Sequence, residues 1–533
     1  MNINRLTAVA LAISTGLLLA LSWPMRGFPF LLLIAFIPLF IVEEIAYRNH
    51  WPRIRVFVLA YVAFFIWNAL TTYWITNSTL FGGIMAVMTN SLLMALVFYF
   101  YHRIRVSTKN PSGQFILIFL WIAFEYLHLD WDLSWPWLNL GNGFAAYPKW
   151  IQWYEYTGVF GGTFWILLVN ILLFKAITPL LFKEPTTRLV FANAISGLLF
   201  ILLPLLGSLK IYSDYQEESR PVNISIIQPN NDPYSEQYEL TPKEVLSHIF
   251  KLADSVSNDS TQFVVCPESA IQERPLYENH IYQGKSIRML QKYLAEKHNQ
   301  AFIIGASTYY IFDQNEPLPL SARKFSDADL YYNAYNTAIY MDNHLDLQLY
   351  HKSKLTPGVE KMPFKSVFNH VENFAIDLGG TVGTLGTDSL RTPFHTFTGN
   401  KIAPVICYES VYGDFLTGFV KNGAEAMLII TNDGWWGDTG GYRQHMAYAS
   451  LRAIETRRSI ARSANTGISA FIDQRGDVIK ATPYWKETAI NGNINLNNKM
   501  TFYVKYGDFI GRIALFGSVL LILMGLSARL MRK

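Results

Sequence analysis

Seven apolar stretches crowd the first 211 residues of the chain and an eighth closes it, at about 6–23, 28–42, 56–76, 83–101, 115–129, 157–175, 189–209 and 507–528. A helix rises about 1.5 Å per residue and the hydrocarbon core of a bilayer is about 30 Å thick, so roughly 20 apolar residues make one crossing. In that medium the backbone must bond to itself, which leaves helices as the form such stretches take. The pattern therefore predicts an α-helical transmembrane bundle of about eight spans. The second and fifth stretches are short, and the fifth holds Glu125 with His128 close behind, so both are expected to lie tilted or half-buried against neighbours. The first stretch also has the layout of a secretory signal, with Arg5 ahead of its apolar core. Its end, Ala20-Leu-Ser-Trp-Pro24, is a poor small-residue cleavage site and the next stretch begins almost at once, which favours a span.

Basic residues in short loops set the orientation of such a bundle. With the N-terminus inside, the inner segments carry Arg5, then Arg48, Arg53 and Arg55, then Arg103, Arg105 and Lys109, then Lys175, Lys183 and Arg188, and finally Arg529, Arg532 and Lys533. The short outer loops carry only Arg26 and Lys149. Both ends are thus expected in the cytoplasm and the long polar interval on the far side. Charge divides the chain in the same way, since residues 1–211 hold 20 of its 84 Asp, Glu, Lys and Arg residues. The expected parts are a seven-span bundle at 1–211, a water-soluble domain at 212–506, and a last span with its tail at 507–533. At 16% charged residues overall, against roughly 25% in soluble chains, an ordinary cytosolic enzyme is excluded. A net charge of +4 with no dense Lys/Arg cluster argues against nucleic acid as a partner.

Between the fifth and sixth stretches, Trp131, Trp135, Trp137, Trp150 and Trp153 interleave with Tyr147, Tyr154 and Tyr156. Such a run reads as an aromatic belt at headgroup level, or as one wall of a portal through which lipid reaches a site. From Val222 the pattern changes. Short β-rich runs, Val222–Gln228, Gln262–Cys266, Ala301–Ser307, Ala338–Asp342, Leu345–Tyr350, Ile402–Cys407, Ala426–Thr431 and Ile468–Asp473, alternate with polar helical segments such as Thr241–Ser257, Gly284–His298 and Tyr442–Arg457. Apolar strands interleaved with helices predict an α/β layered domain with covered sheet faces.

Three of those strand ends carry chemistry, and in α/β sheets strand ends line the ligand crevice. Glu268 follows one, Lys352 another, and Cys407 a third, with Tyr408 and Glu409 directly after it. A thiol attacks only as thiolate, and a neighbouring cation favours that form. Lys352 can supply the cation and then stabilise an oxyanion, while Glu268 can carry the proton. Taken singly, Cys407 reads more readily as a small buried hydrophobe, and Glu268 with Lys352 as a structural pair; Cys266, inside an apolar run, reads as core. The two cysteines show no CxxC, zinc or disulfide-framework spacing, leaving a bridge or a reactive thiol open.

Pro267-Glu268-Ser269, Tyr350-His-Lys352-Ser-Lys-Leu355 and Ile406-Cys407-Tyr-Glu409-Ser410 resemble the glutamate, lysine and cysteine words of the nitrilase, or carbon-nitrogen hydrolase, superfamily. Further words lie in order along some 500 residues. They include Trp135-Pro-Trp137, Gln152, Gly158, Thr431-Asn-Asp-Gly-Trp-Trp-Gly437, His445, Arg452-Ala-Ile-Glu455, Arg458 and Arg462-Ser-Ala-Asn465-Thr-Gly467. Together they resemble the membrane-embedded branch of that superfamily, the apolipoprotein N-acyltransferases. The resemblance implies an α-β-β-α sandwich and a Glu268–Lys352–Cys407 triad. It implies transfer of an acyl chain from a phospholipid, through a thioester on Cys407, to the free amine of a diacylglyceryl-cysteine at the N-terminus of an apolipoprotein. It also implies that Glu360 supports the lysine and glutamate, that Tyr408 and Glu409 shape the pocket, and that the enzyme sits in a bacterial inner membrane.

No cofactor is expected, because an ester becomes an amide through a thioester without a nucleotide and there is no glycine-rich phosphate loop. A metal is not expected either, and the enzyme is expected to act as a monomer. The lysine word departs from the family in reading Lys354-Leu-Thr-Pro-Gly-Val-Glu360, with its glycine moved by one. Tyr238 stands near the place where relatives carry a tryptophan, and Trp435 with Trp436 doubles the aromatic of its loop. Two other readings stay open at this point: a membrane-tethered amidase that resolves the thioester with water, and a catalytically silent lipid-binding or transport protein.

Overall fold

The computed structural model describes residues 3–531 apart from 25–26, 111, 186–187, 237–238, 298, 345 and 364–383. Arg26, Tyr238, His298, Leu345, Arg532 and Lys533 lie outside the described residues. The chain forms two compact units, one of Met1–Thr76, Leu80–Asp214 and Tyr506–Lys533, the other of Asn77–Thr79 and Tyr215–Lys505.

In the first unit all eight apolar stretches are helical. Seven of them, Arg5–Ser22, Pro29–Arg48, Arg53–Thr72, Leu80–Thr108, Tyr154–Phe182, Arg188–Asp214 and Phe509–Leu530, are long and apolar enough to cross a membrane. The fifth stretch forms the shorter helix Ile116–Leu127. The second is broken into a 3-10 turn, Pro29–Leu33, and the helix Ile37–Arg48, whose first turn contains a proline that has no N–H to donate. Asn170 repairs the break by accepting from the Phe36 N–H at 2.9 Å and donating to the Leu32 carbonyl at 2.7 Å.

Helices 37–48 and 80–108 run past their apolar windows and carry charge into the bundle, which the sequence reading placed only at Glu125. Arg105 donates to Glu43 and, at 2.6 Å, to Glu44, while Tyr101 donates to Glu43 at 2.9 Å and His102 lies 2.7 Å from it. These groups are buried, and buried charge persists where it is paired and hydrogen-bonded. Glu125 accepts from the Trp121 indole at 3.0 Å, the Leu140 N–H at 2.7 Å and the Thr163 hydroxyl at 2.6 Å, and so ties the irregular segment after its helix to the bundle. Trp137 in that segment is wholly buried between Trp74, 4.9 Å away, and Trp135, stacked at 5.4 Å, so it is a core residue. Trp131, at 36% exposure, faces outward.

The second unit is a sandwich of two sheets. Its strands are β1 Pro221–Gln228, β2 Thr261–Val265, β3 Ala301–Ile311, β4 Arg323–Lys324, β5 Tyr331–Asp342, β6 Leu347–His351, β7 Phe394–His395, β8 Lys401–Ile406, β9 Ala426–Thr431, β10 Ile460–Ala464, β11 Ala470–Ile472, β12 Val478–Ala481 and β13 Thr488–Asn495. One sheet runs β13-β1-β2-β3-β5-β4 with β6 also on β5, and the other runs β12-β11-β10-β9-β8-β7. Parallel pairs β1/β2, β2/β3, β8/β9 and β9/β10 form the centre of each sheet.

The strands alternate in what they face. Val264, Cys266, Phe302, Ile304, Ile339 and Met341 form one core with the helices Pro242–Val256 and Lys285–Ala295. On the other face of that sheet, Phe263 meets Phe397, in the turn between β7 and β8, at 6.2 Å, and Tyr340 meets Phe394 of the second sheet at 5.7 Å. The helices Gly413–Lys421 and Gly440–Thr456 cover the second sheet, completing an α-β-β-α order. Helix 242–256 starts where the sequence predicts, with Thr241 and Glu244 closing a capping box ahead of Pro242. Among the described residues both cysteines are free thiols, and Cys266 is core.

Candidate active site

Parallel strands leave their carbonyl ends on one side, and loops that follow them converge there. Glu268 stands three residues past β2 and is held against β3. Gly305 N–H donates to the Pro267 carbonyl at 3.1 Å, and the Ile271 N–H donates to the Gly305 carbonyl at 2.9 Å. A Cβ on Gly305 would lie 2.5 Å from the Ser269 nitrogen and 2.6 Å from the Glu268 Cα, so only glycine lets this loop pack so closely.

Lys352 directly follows β6, with its N–H donating to the Asn336 carbonyl of β5 at 2.8 Å. Its Nζ donates to Glu268 Oε1 at 3.0 Å and to Glu360 Oε1 at 2.9 Å. Asn336 Nδ2 donates to the same two oxygens at 2.8 and 3.0 Å. The remaining oxygens are satisfied too: Glu268 Oε2 accepts from the Asn432 N–H at 3.1 Å and Glu360 Oε2 from the Thr356 N–H at 2.9 Å. The glycine displaced by one in the lysine word does no harm, because Gly358 takes φ +79° in a turn that still brings Glu360 back to Lys352.

Cys407 directly follows β8 and opens the 3-10 turn Cys407–Val411, with φ at +50°, a left-handed conformation that costs a non-glycine residue roughly 1–2 kcal/mol. Glu409 braces one side of that turn. It accepts from the Ile406 N–H at 2.8 Å, the Ser353 N–H at 2.7 Å and the Tyr350 hydroxyl at 2.7 Å, joining the cysteine loop to the lysine loop. Tyr408 is buried, with its ring edge-on to Tyr412 at 5.3 Å. Trp435 lies on the turn Asp433–Trp436 after β9 and packs edge-on against Tyr234 at 5.3 Å.

Burial sets the electrostatics. Burial and then the Glu268 carboxylate push the Cys407 thiol well above its usual pKa, while Lys352 and a hydrogen bond with the Thr431 side chain pull it down without cancelling them. A thiol raised in this way favours its protonated form, so attack needs a base to take its proton, the part that the sequence reading gave to Glu268. Burial works against the Lys352 charge, but Glu268 and Glu360 outweigh it and hold the ammonium well above the ordinary lysine value. Glu360 is likewise held low by Lys352 against its own burial. Burial raises Glu409 to about 7, and its three donors and the Lys352 ammonium offset this only in part. His351, just before Lys352, lies between Asp388 at 2.8 Å and Glu278 at 2.9 Å, which outweigh burial and raise it to about 9.

The structure thus gathers Glu268, Lys352, Glu360 and the Cys407–Glu409 turn. A carboxylate, an ammonium and a thiol so placed can carry out acyl transfer through a thioester. Asn336, a lone asparagine, was missed by sequence reasoning, and Asn432 was quoted only within its family word, with no role given to its backbone N–H. For Asn336 the available signal was that two carboxylates on one cation leave lone pairs needing further donors.

Residues 223–499, more than half of the chain, match the sequence profile described as carbon-nitrogen hydrolase, and residues 15–172 match that of the apolipoprotein N-acyltransferase N-terminal domain. An apolipoprotein N-acyltransferase of Chlorobaculum tepidum is 29% identical over 530 residues, spanning 95% of this chain and 94% of that one. Another, of Geobacter metallireducens, is 27% identical over 513 residues, spanning 93% and 91%. Among solved structures, the NitN amidase of Neterenkonia sp. AN1 is 14% identical at a TM-score of 0.36, with 55% of this chain and 99% of that one covered. The chain belongs to the carbon-nitrogen hydrolase family, and it joins that family's domain to the N-terminal domain of the apolipoprotein N-acyltransferases.

Proposed function

We propose that the protein is a phospholipid:apolipoprotein N-acyltransferase in which Cys407 is the nucleophile, Glu268 the general base and acid, and Lys352 the oxyanion stabiliser. In the first half-reaction Glu268 takes the Cys407 proton as Sγ attacks the acyl ester of a phospholipid. The tetrahedral oxyanion is met by the Lys352 ammonium. Its collapse breaks the ester C–O bond, Glu268 returns the proton to the leaving alkoxide, and a lysophospholipid departs from the thioester. In the second half the free amine of a diacylglyceryl-cysteine attacks the thioester carbonyl. Glu268 takes the amine proton and returns it to the departing sulfur, which leaves an N-acylated lipoprotein and the starting thiol. Glu360 and Asn336 hold Lys352 and Glu268 in register, and Glu409 holds the nucleophile's turn.

One observation carries this reading: a thiol, ammonium and carboxylate site occurs in the same chain as seven helices long and apolar enough to cross a membrane. An enzyme of soluble amides has no use for so many spans, whereas an acyl donor that lives in a bilayer does. The reading includes a monomer in the bacterial inner membrane, with both termini cytoplasmic, residues 212–506 periplasmic, and Tyr408 and Trp435 lining the substrate pocket. The test is to incubate the purified chain with phospholipid and a diacylglyceryl-cysteine peptide. N-acylated peptide from the wild type, and none from folded Cys407→Ser, is the expected result. Free fatty acid in place of acylated peptide refutes transfer and favours an amidase-like hydrolase.

A further inference from the structure

The reaction described above leaves unused a buried polar cluster directly beneath the nucleophile. Ser410 Oγ donates to the Cys407 carbonyl oxygen at 2.7 Å and lies 2.9 Å from His445 Nε2, which is itself 3.2 Å from that carbonyl oxygen. Across the ring, His445 Nδ1 lies 2.9 Å from Asp433 Oδ1, and Asp433 Oδ2 accepts from Arg462 Nη2 at 2.6 Å. Trp436 closes the near side with its ring edge-on to the imidazole at 5.6 Å. Serine, imidazole and carboxylate stand in line as they do in a hydrolase triad, yet none is more than 1% exposed, so Ser410 is out of reach of substrate.

What the cluster grips instead is the backbone of Cys407, the residue held at positive φ. Its other end is fixed to the base. Thr431 and Asp433 are joined by a 2.8 Å hydrogen bond, the Thr431 side chain is bonded to the Cys407 thiol, and the Asn432 N–H between them donates to Glu268. Three successive residues at the end of β9 therefore touch the thiol, the general base and the imidazole beneath the nucleophile. A displacement of His445 is passed at once to the Cys407 carbonyl and, through Asp433, to the segment that fixes Glu268.

We propose that Asp433, His445 and Ser410 form a positioning relay that holds Cys407 in its left-handed conformation and keeps its sulfur in register with Glu268. The relay is distinct from the reacting groups, and the proposal rests on Cys407 being the nucleophile. Asp433 itself makes a poor probe, because its removal strands the buried Arg462 charge. His445 and Ser410 can be changed without creating one.

The experiment uses the purified full-length chain in detergent and the variants His445→Ala, His445→Gln and Ser410→Ala. Two rates are measured: alkylation of Cys407 by iodoacetamide, mapped by peptide mass, and single-turnover acylation by phospholipid across a concentration series. Misplacing a nucleophile by a fraction of an ångström lowers both rate constants about tenfold or more in His445→Ala, and leaves half-saturation by phospholipid unchanged. Glutamine, which presents an amide to the same oxygens, restores most of the loss. Ser410→Ala falls severalfold, and it decides the matter if His445→Ala does not fold. Wild-type rate constants in a folded Ser410→Ala, or no recovery in a folded His445→Gln, overturn the proposal. A wild type that alkylates at Cys407 but takes up no acyl group refutes the acyltransferase reading, while the alkylation comparison still decides on the relay.

Discussion

Lys352 separates two carboxylates, and methionine in its place sets them against each other. Its Nζ donates to Glu268 Oε1 at 3.0 Å and to Glu360 Oε1 at 2.9 Å. The two oxygens therefore lie within about 6 Å of each other, and unit charges at that spacing repel by about 3 kcal/mol at an effective dielectric of about 20. That repulsion is worth about two pKa units. In the wild type Glu360 is held low, so the stability it contributes is present above its unfolded pKa of about 4.3 and is lost as pH falls through the folded value. In Lys352→Met the sign reverses. Burial and repulsion raise Glu360, and its contribution is present below about pH 4.3 and lost as pH climbs through about 6.

The stability gap between the two proteins should thus widen by about 3 kcal/mol from pH 4 to 7, or roughly 6–12 °C in Tm. Thermal unfolding of the full-length chain in detergent, followed by tryptophan fluorescence at each pH, measures it. Single-turnover acylation by the same samples should fall about 10²–10³-fold, because the oxyanion loses a donor already in place. A gap that does not change with pH refutes the electrostatic reasoning, and acylation at the wild-type rate refutes the role given to the ammonium.

Two further perturbations probe the frame around these groups. Gly305→Ala puts a methyl 2.5 Å from the Ser269 nitrogen, so the Glu268 loop must shift; it should cost about 1–3 kcal/mol and slow acylation about tenfold or more, and wild-type acylation kinetics would contradict it. Asp433→Asn leaves Arg462 buried without a counter-charge and should cost about 3–5 kcal/mol, or roughly 6–20 °C in Tm. Arg462 and His445 outweigh burial and hold Asp433 well below the carboxylate range, so its contribution is complete above about pH 4 and lost only in stronger acid. The Tm difference should therefore stay level from pH 5 to 8, and a strong slope there would count against the pairing.

The apolar helices and the three strand-end residues proposed to react were legible in the sequence for the same reason: each is announced by an apolar run, whether one long enough to cross a bilayer or a short one that ends at the crevice. What escaped lies where polar residues are buried by mutual satisfaction. Arg105 was counted among the charges of an inner segment, and Glu43, Glu44 and His102 drew no reading because they follow the apolar windows, yet helices 37–48 and 80–108 continue and pair all four inside the bundle. Strand β10 was missed because Arg462 interrupts it, and that arginine is buried against Asp433. Strand β13, with its Asn491 and Asn493, reads as a loop, although in the sheet both asparagines bond to Asn223 of β1. The raised thiol of Cys407 was also out of view, because burial outweighs a charge pair visible as neighbouring words. Periodicity reports which residues avoid water; it does not report which polar groups find each other.

The most direct test of the central claim is the intact mass of the purified chain after incubation with phospholipid and no acceptor. An added acyl mass that maps to Cys407, is absent from Cys407→Ser, and moves to the amine of a diacylglyceryl-cysteine peptide on its addition is the predicted result. A chain that gains no mass, or whose adduct maps elsewhere or passes to water with the peptide unmodified, contradicts it.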